Sequence, residues 1–161
     1  PLSLAQDAIA RGADVNYAGG EGWTSLHISM LHQPKDYAQT VRLLLTNRAN
    51  PDAMDDRGRT PLLLASIYGL EESVKDLTKV SSKIDIADAQ GVNDLAHAAL
   101  RNHKSVVNDL IAARVDPTTA HRHVMKEGSA EMKQLLGISE DGVDATTLTT
   151  TVTTTSTSGE L

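Results

Sequence analysis

Histidines, carboxylates and one glycine cluster are the residues of this 161-residue chain whose types could carry chemistry. His121 and His123 have a spacing that some metal sites use. On a helix their rings would diverge by about 200°, and the chain holds no cysteine to complete a site. His97 and His103 have no evident third ligand. Nucleophilic catalysis needs Ser or Cys beside a base and an oxyanion site, yet no G-x-S-x-G occurs. Gly19-Gly20-Glu21-Gly22 is glycine-rich but lacks the G-K-[ST] that cradles phosphate, so it reads as a flexible loop tip. The adjacent carboxylates Asp55-Asp56 and Glu71-Glu72 point to different faces and read as solvated surface. These residues predict no catalytic set, no metal and no cofactor.

Composition narrows the partner. The formal net charge is −6, and the 15 Lys and Arg are scattered rather than clustered. A nucleic-acid binder gathers basic residues on one face, so that class is disfavoured. No apolar run approaches the ~18 residues of a membrane span. The opening PLSLAQDAIARG places Asp7 where a signal peptide would be apolar. A soluble protein of the cytoplasm or nucleus is expected. There is no Phe, one Trp (Trp23) and three Tyr (Tyr17, Tyr37, Tyr68). Leu, Ala, Val and Ile must therefore fill the interior, which suits thin stacked layers better than a deep centre.

The elements that hold these residues repeat. Gly22, Gly58 and Gly91 open GWTSLHISM, GRTPLLLAS and GVNDLAHAA, with spacings of 36 (58 − 22) and 33 (91 − 58) residues. Thr24, Thr60 and Asn93 align, as do Leu26, Leu62 and Leu95, then Ser29, Ala65 and Ala98. Further on come VRLLL (41–45), VKDLT (74–78) and VNDLI (107–111), closed by RANPDAMD, SKIDIADA and RVDPTTA. AIARGADVN (8–16) is the closing half of one more unit. Thr60-Pro61 predicts a capped helix start, and Thr24-Ser25 keeps the cap without the Pro. Leu62, Ala65 and Ser66 share one helical face, and Gly69 ends that helix. Val74 and Leu77 give a second helix its apolar stripe. Neither helix buries its face alone, so neighbouring units must supply the core.

GADVN at 12–16, G-x-T-S-L-H at 22–27 and G-R-T-P-L at 58–62, at this spacing, resemble the ankyrin repeat. The likeness covers about residues 2–118. It implies an all-α solenoid of about three full repeats (21–55, 56–88, 89–118). A partial N-terminal repeat (1–20) and a degenerate helical cap (119–138) complete a 1–138 domain. His27 holds the family's T-x-x-H position, which implies hydrogen bonding between units. Asn93-Asp94 departs from Thr-Pro, His97 stands one place past the usual His position, and Ser81-Ser82 replaces Gly-Ala. Extra residues between His32 and Thr40, Pro34 among them, predict a longer inter-helix loop.

The ends differ in character. Leu4, Ala8 and Ile9 form a helical stripe that an opening helix covers in a complete repeat, so the N-terminal edge is expected to fray or to mediate weak self-association. The chain either begins natively there or belongs to a longer array. In 121–138, Val124, Met125, Met132, Leu135 and Leu136 are expected to cover the last repeat. Residues 139–161 are Thr-rich and predict a disordered tail, with an edge strand or hydroxyl modification as alternatives.

The resemblance implies a protein-binding module that is not an enzyme, with another protein as partner. Its concave face of loop tips and first helices would carry the contact. Carried over by position, the residue after each Gly is Trp23, Arg59 or Val92. The pairs before it are Gly20-Glu21, Asp56-Arg57 and Ala89-Gln90. The first helices end in Leu31-His32, Ile67-Tyr68 and Leu100-Arg101. The candidate site residues are thus Glu21, Trp23, His32, Asp56, Arg57, Arg59, Tyr68, Gln90 and Arg101, because Trp, Tyr and Arg dominate interface energetics. Trp23 is expected either to touch a partner or to stack on Arg57 or Arg59. The alternative function is a regulatory or targeting segment of a larger enzyme, channel or degradation adaptor.

Overall fold

A computed structural model describes residues 2–32 and 37–138. The residues of the expected long inter-helix loop, 33–36, and of the expected disordered tail, 139–161, lie outside the described residues, as does the side chain of His32. Helices run in pairs: α1 (Leu2–Ala10), α2 (Ser25–His32), α3 (Tyr37–Thr46), α4 (Pro61–Tyr68), α5 (Glu71–Leu77), α6 (Asp94–Leu100), α7 (Lys104–Ala112), α8 (Thr118–Glu127) and α9 (Ala130–Leu135). They pack in two rows. The inner row is α2, α4, α6 and α8, and the outer row is α1, α3, α5 and α7, with α9 against α8. Among the described residues no strand forms; an isolated antiparallel bridge joins Ala87 and Asn93. The fold is the all-α repeat stack that the sequence implies.

Periodicity explains the core. Leu26, Leu62 and Leu95 on the inner row are fully buried. So are the outer-row positions Val41, Val74 and Val107, and Leu44, Leu77 and Leu110 are nearly so. Burying one such side chain contributes roughly 1.5–3 kcal/mol, and each does so against a neighbouring unit. The helix ends follow local chemistry. Thr60 Oγ1 accepts the Leu63 N–H at 3.2 Å, with Pro61 in the first turn. Asn93 caps α6 in the same way, accepting the Ala96 N–H at 2.9 Å. Thr24 behaves differently from expectation: its hydroxyl meets the ring of His27 at 2.9 Å. Gly69 ends α4 at φ 69°. A Cβ there would also strike the ring of His103, 2.6–2.9 Å away, and that ring donates from Nε2 to the Ile67 carbonyl at 3.1 Å.

The closing helices differ in detail from expectation. Val124, Met132, Leu136 and Ile138 are buried, but Met125 and Leu135 stay exposed. α8 turns Ala120 and Val124 inward, and Met125, one residue and about 100° further round the helix, faces outward. Asp94, at the position Pro61 holds one unit earlier, is fully buried. Its Oδ2 accepts the Asp85 N–H at 3.1 Å, and its Oδ1 has no hydrogen-bond partner.

Candidate protein-binding surface

Three loops, 19–23, 55–59 and 88–92, project from the stack, and each closes on itself. The bonds are Gly19 N–H to Trp23 C=O at 2.9 Å, Asp55 N–H to Arg59 C=O at 3.0 Å and Asp88 N–H to Val92 C=O at 3.1 Å. Neighbouring tips are tied together. Asp56 N–H donates to Glu21 C=O, and Ala89 N–H donates to Arg57 C=O, both at 3.0 Å. The approach is close enough at Gly22 (φ 71°) that a Cβ would lie 2.9 Å from an Asp56 carboxylate oxygen and 3.1 Å from its backbone nitrogen. Asp55 and Asp88 brace their loops from within: Asp55 Oδ1 accepts from Arg57 (2.9 Å) and Arg59 (2.8 Å), Asp88 Oδ1 from Gln90 (2.9 Å) and Val92 (3.0 Å).

The second oxygen of each Asp reaches a side chain. Asp55 Oδ2 accepts from Arg59 Nε at 2.7 Å and from the Trp23 indole N–H at 3.2 Å, and it pairs with Arg59 Nη2 at 2.6 Å. Burial would push the Asp55 carboxyl up, but the Arg59 and Arg57 donors outweigh it and hold it below the usual carboxylate range. Asp88 Oδ2 instead meets His97 Nε2 at 2.7 Å, while Arg101 Nη1 sits 3.0 Å from His97 Nδ1. A guanidinium only donates, so Nδ1 accepts and His97 is neutral with its proton on Nε2. Burial lowers its pKa despite the Asp88 carboxylate, which agrees with that assignment. His27 has the same tautomer: Nδ1 accepts the Thr24 N–H at 3.2 Å, and Nε2 donates to Arg59 C=O at 3.0 Å. Burial lowers its pKa too.

The candidate residues fall into distinct groups. Glu21, Asp56, Arg57 and Gln90 are exposed along the row of tips. Trp23 and Arg59 are half-buried and meet at Asp55. The Trp23 indole N–H and the Arg59 guanidinium share the Asp55 carboxylate, which places the indole beside the next loop. Tyr68 (38% exposed) ends α4, and the exposed Arg101 follows α6. His32 ends α2, its side chain outside the described residues.

Sequence reasoning missed His97 and Asp88 as a pair that links a tip to an inner helix. It also missed a second ladder on the far side of the loops. Asn16, Asp52 and Asp85 hold one register position, and each reaches the next unit. Asn16 Oδ1 accepts the Asn50 N–H at 2.7 Å, Asp52 accepts from Ser82 and Lys83, and Asp85 accepts from Thr119 Oγ1 at 3.2 Å. Their alignment at the repeat spacing was the available signal. Among the described residues, no group of three or more His, Asp or Glu is placed to hold a metal. His121 instead bonds the Leu136 carbonyl at 3.1 Å. No helix among them is long and apolar enough to cross a membrane.

Comparison with known proteins gives a family model, ankyrin repeats in three copies, that matches residues 2–89 and 34–121. The chain is 28% identical over 134 residues to glycerophosphocholine phosphodiesterase gde1 of Schizosaccharomyces pombe, covering 81% of this chain and 12% of that protein. It is 29% identical over 96 residues to protein glp-1 of Caenorhabditis elegans, covering 55% of this chain and 7% of that protein. Against human ankyrin repeat domain-containing protein 63 the identity is 33% over 106 residues, covering 65% and 28%. The chain thus spans a small fraction of the length of the relatives it matches.

Proposed function

The chain belongs to the ankyrin-repeat family, and on that premise we propose that it is a non-catalytic module of the cytoplasm or nucleus that holds another protein on its row of loop tips and the adjoining inner helices. The observation that carries this is the tip ladder. Glu21, Asp56, Arg57 and Gln90 expose their side chains on backbone fixed by Asp56–Glu21 and Ala89–Arg57 hydrogen bonds. A surface already held in one conformation loses little entropy on binding, so more of its contact energy appears as affinity. The row carries both signs of charge, which favours recognition of a patterned protein surface over a uniformly charged polymer.

Trp23 is the proposed anchor. It is half-buried with its N–H on Asp55, so its ring is oriented before a partner arrives. A pull-down with the full chain followed by mass spectrometry would identify the partner. Calorimetric titration of Trp23→Ala should then show a loss of about 2 kcal/mol or more, the usual hot-spot scale. Arg57→Ala should lose affinity with no change in thermal stability. Unchanged affinity in both variants would remove the tips from the site, and a large stability loss in Trp23→Ala without an affinity change would make that residue structural.

A second reading is supported by coverage: the matched relatives exceed the matched segment several-fold in length. On this reading the module regulates or targets a larger enzyme, channel or degradation adaptor. The sequence of the parent transcript either side of the segment discriminates the two.

A further inference from the structure

Building on the reading that the inner helices share in the binding surface, we propose that Arg101 docks an acidic side chain of the partner. That side chain is carried on an extended peptide segment that also lays an apolar side chain on Tyr68. Two loops satisfy the same carboxylate in different ways. Asp55 and Asp88 hold one register position, 33 residues apart (88 − 55), and each has a second oxygen to satisfy. In the earlier unit Arg59 of the same loop does so, and its charge is neutralised on a buried carboxylate. The later unit has Val92 where the earlier has Arg59, and His97 where the earlier has Leu64. His97 Nε2 donates to Asp88 at 2.7 Å, and its Nδ1 accepts from Arg101 at 3.0 Å.

The two arginines therefore differ in the charge they present. Arg59 is matched by Asp55, whereas Arg101 is exposed, is held by a neutral ring and has no carboxylate partner among the described residues. An exposed ion pair usually contributes little, because two flexible side chains must be fixed to form it. Here one side is fixed beforehand. The Gln90 and Val92 N–H groups brace Asp88, Asp88 orients His97, and His97 orients the guanidinium. The donors left over form a planar fork that matches a carboxylate. Burial lowers the His97 pKa against the pull of Asp88, and the charges of Arg101 and His123 lower it further. That corner is thus cationic, and an acidic group is its complement. One unit back, Tyr68 holds the Arg101 position (101 − 33 = 68) and is 38% exposed. α4 and α6 pack directly. Packed helices lie about 8–10 Å apart, so an extended peptide at about 3.3 Å per residue crosses that step in about three residues. The competing occupant is the chain's own Glu140, Asp141 and Asp144. His121 bonds the Leu136 carbonyl, and His121 and His123 diverge by about 200° on α8. Leu136 thus lies on the side of α8 turned away from His97, which favours a partner.

The probe is a displayed library of random peptides, panned on the full chain. Enriched peptides should share an Asp or Glu about three positions from an apolar residue. Arg101→Glu should lower the affinity of those peptides about tenfold or more, and panning on it should select Lys or Arg at the acidic position. Arg101→Lys keeps the charge without the fork, and His97→Phe keeps Arg101 without its acceptor. Each should weaken the acid preference several-fold and leave the apolar preference, set by Tyr68, in place. General damage to the fold would lower both together. No enrichment, an enriched set without an acidic position, or an acid preference unchanged in Arg101→Glu would each overturn the proposal. So would a gain in peptide affinity of about tenfold or more on changing Glu140→Gln, Asp141→Asn and Asp144→Asn together, since the chain's own segment would then hold Arg101. The tips are read separately. Peptides that keep the acid preference but bind Trp23→Ala and Arg57→Ala unchanged remove the tips and leave Arg101. Peptides that need Trp23 and Arg57 and show no acidic position do the reverse.

Discussion

The two ends of the stack are built from the same kind of helix and differ in what covers them. At one end α1 buries nothing, and its equivalents of the core valines and leucines are the alanines Ala5 and Ala8. At the other end α8 closes over α6 and α9 packs on α8, with Ala120, Val124, Met132, Leu136 and Ile138 buried. An ion pair between Lys104 and Glu131 ties α9 to α7. A helix in such a stack owes its stability to its neighbours, so identical chemistry should weigh differently by position. Leu95→Ala, in the fully buried row between α4 and α8, should cost about 4 kcal/mol. Leu4→Ala, at 64% exposure, should fall within about 0.5 kcal/mol of zero. Urea titration of both variants checks this. Equal costs would mean that α1 is covered and that the ends do not differ.

What was legible in the sequence is what local rules enforce. Thr60-Pro61 announces a helix start, because the cap and the proline act within one turn. His27 was legible through the family's T-x-x-H position, which implied a bond between units, and its Nε2 does donate to Arg59 C=O in the next unit. The three aligned leucines mark the inner row. The Asn16–Asp52–Asp85 ladder was not legible, since polar residues in turns look solvated until the next unit is placed against them. Nor was the burial of Asp94, or the Trp23 acceptor, which Gly19 leaves to the neighbouring loop: the first loop lacks the bracing Asp that the second and third have at 55 and 88. Of the candidate site, the exposed tips were readable by position. The coupling of Trp23 to Arg59 through Asp55 needed coordinates.

The same asymmetry has an acid–base side. Burial pushes Asp94 up to about 7, with a backbone donor from Asp85 opposing and the Asp85 charge adding. Its folded pKa thus lies above the unfolded value of 3.8, a gap of 7 − 3.8 = 3.2. Protons favour the folded state in that window, so this residue's contribution weakens as pH rises from about 4 through 7. The gap bounds the effect at about 4 kcal/mol, and local relaxation around the carboxylate makes ~2 kcal/mol the expected size. Asp55 and Asp88 work the other way: burial raises each, hydrogen bonds from Arg59 and His97 outweigh it, and their stabilisation is lost only below pH 4. His27 and His97, with lowered values, lose theirs as pH falls below 6.5 through their folded pKa. Asp94→Asn should therefore raise stability at pH 8 and leave it nearly unchanged at pH 4. Chemical denaturation across that range checks it; equal effects at both pH values would show that folding does not raise the Asp94 pKa.

The smallest expected effect compares the helix starts of α2 and α4. Thr60 spends its hydroxyl on the backbone, accepting the Leu63 N–H at 3.2 Å. Thr24 spends its hydroxyl on His27, 2.9 Å away, and that ring in turn donates to Arg59 C=O in the next loop. Loss of Thr60 therefore frees one helix N–H, whereas loss of Thr24 loosens an inter-unit contact near the open end. Thr60→Ala should cost about 1 kcal/mol, the usual worth of a cap, and Thr60→Ser should recover most of it. Thr24→Ala should not behave as a cap deletion. Its effect should largely vanish in a His27→Ala background, because the hydroxyl's partner is already gone. A double-mutant cycle over Thr24 and His27, read by thermal or urea melts, measures that coupling. Additive losses would place the Thr24 hydroxyl on the helix backbone instead, and the two helix starts would then be the same device.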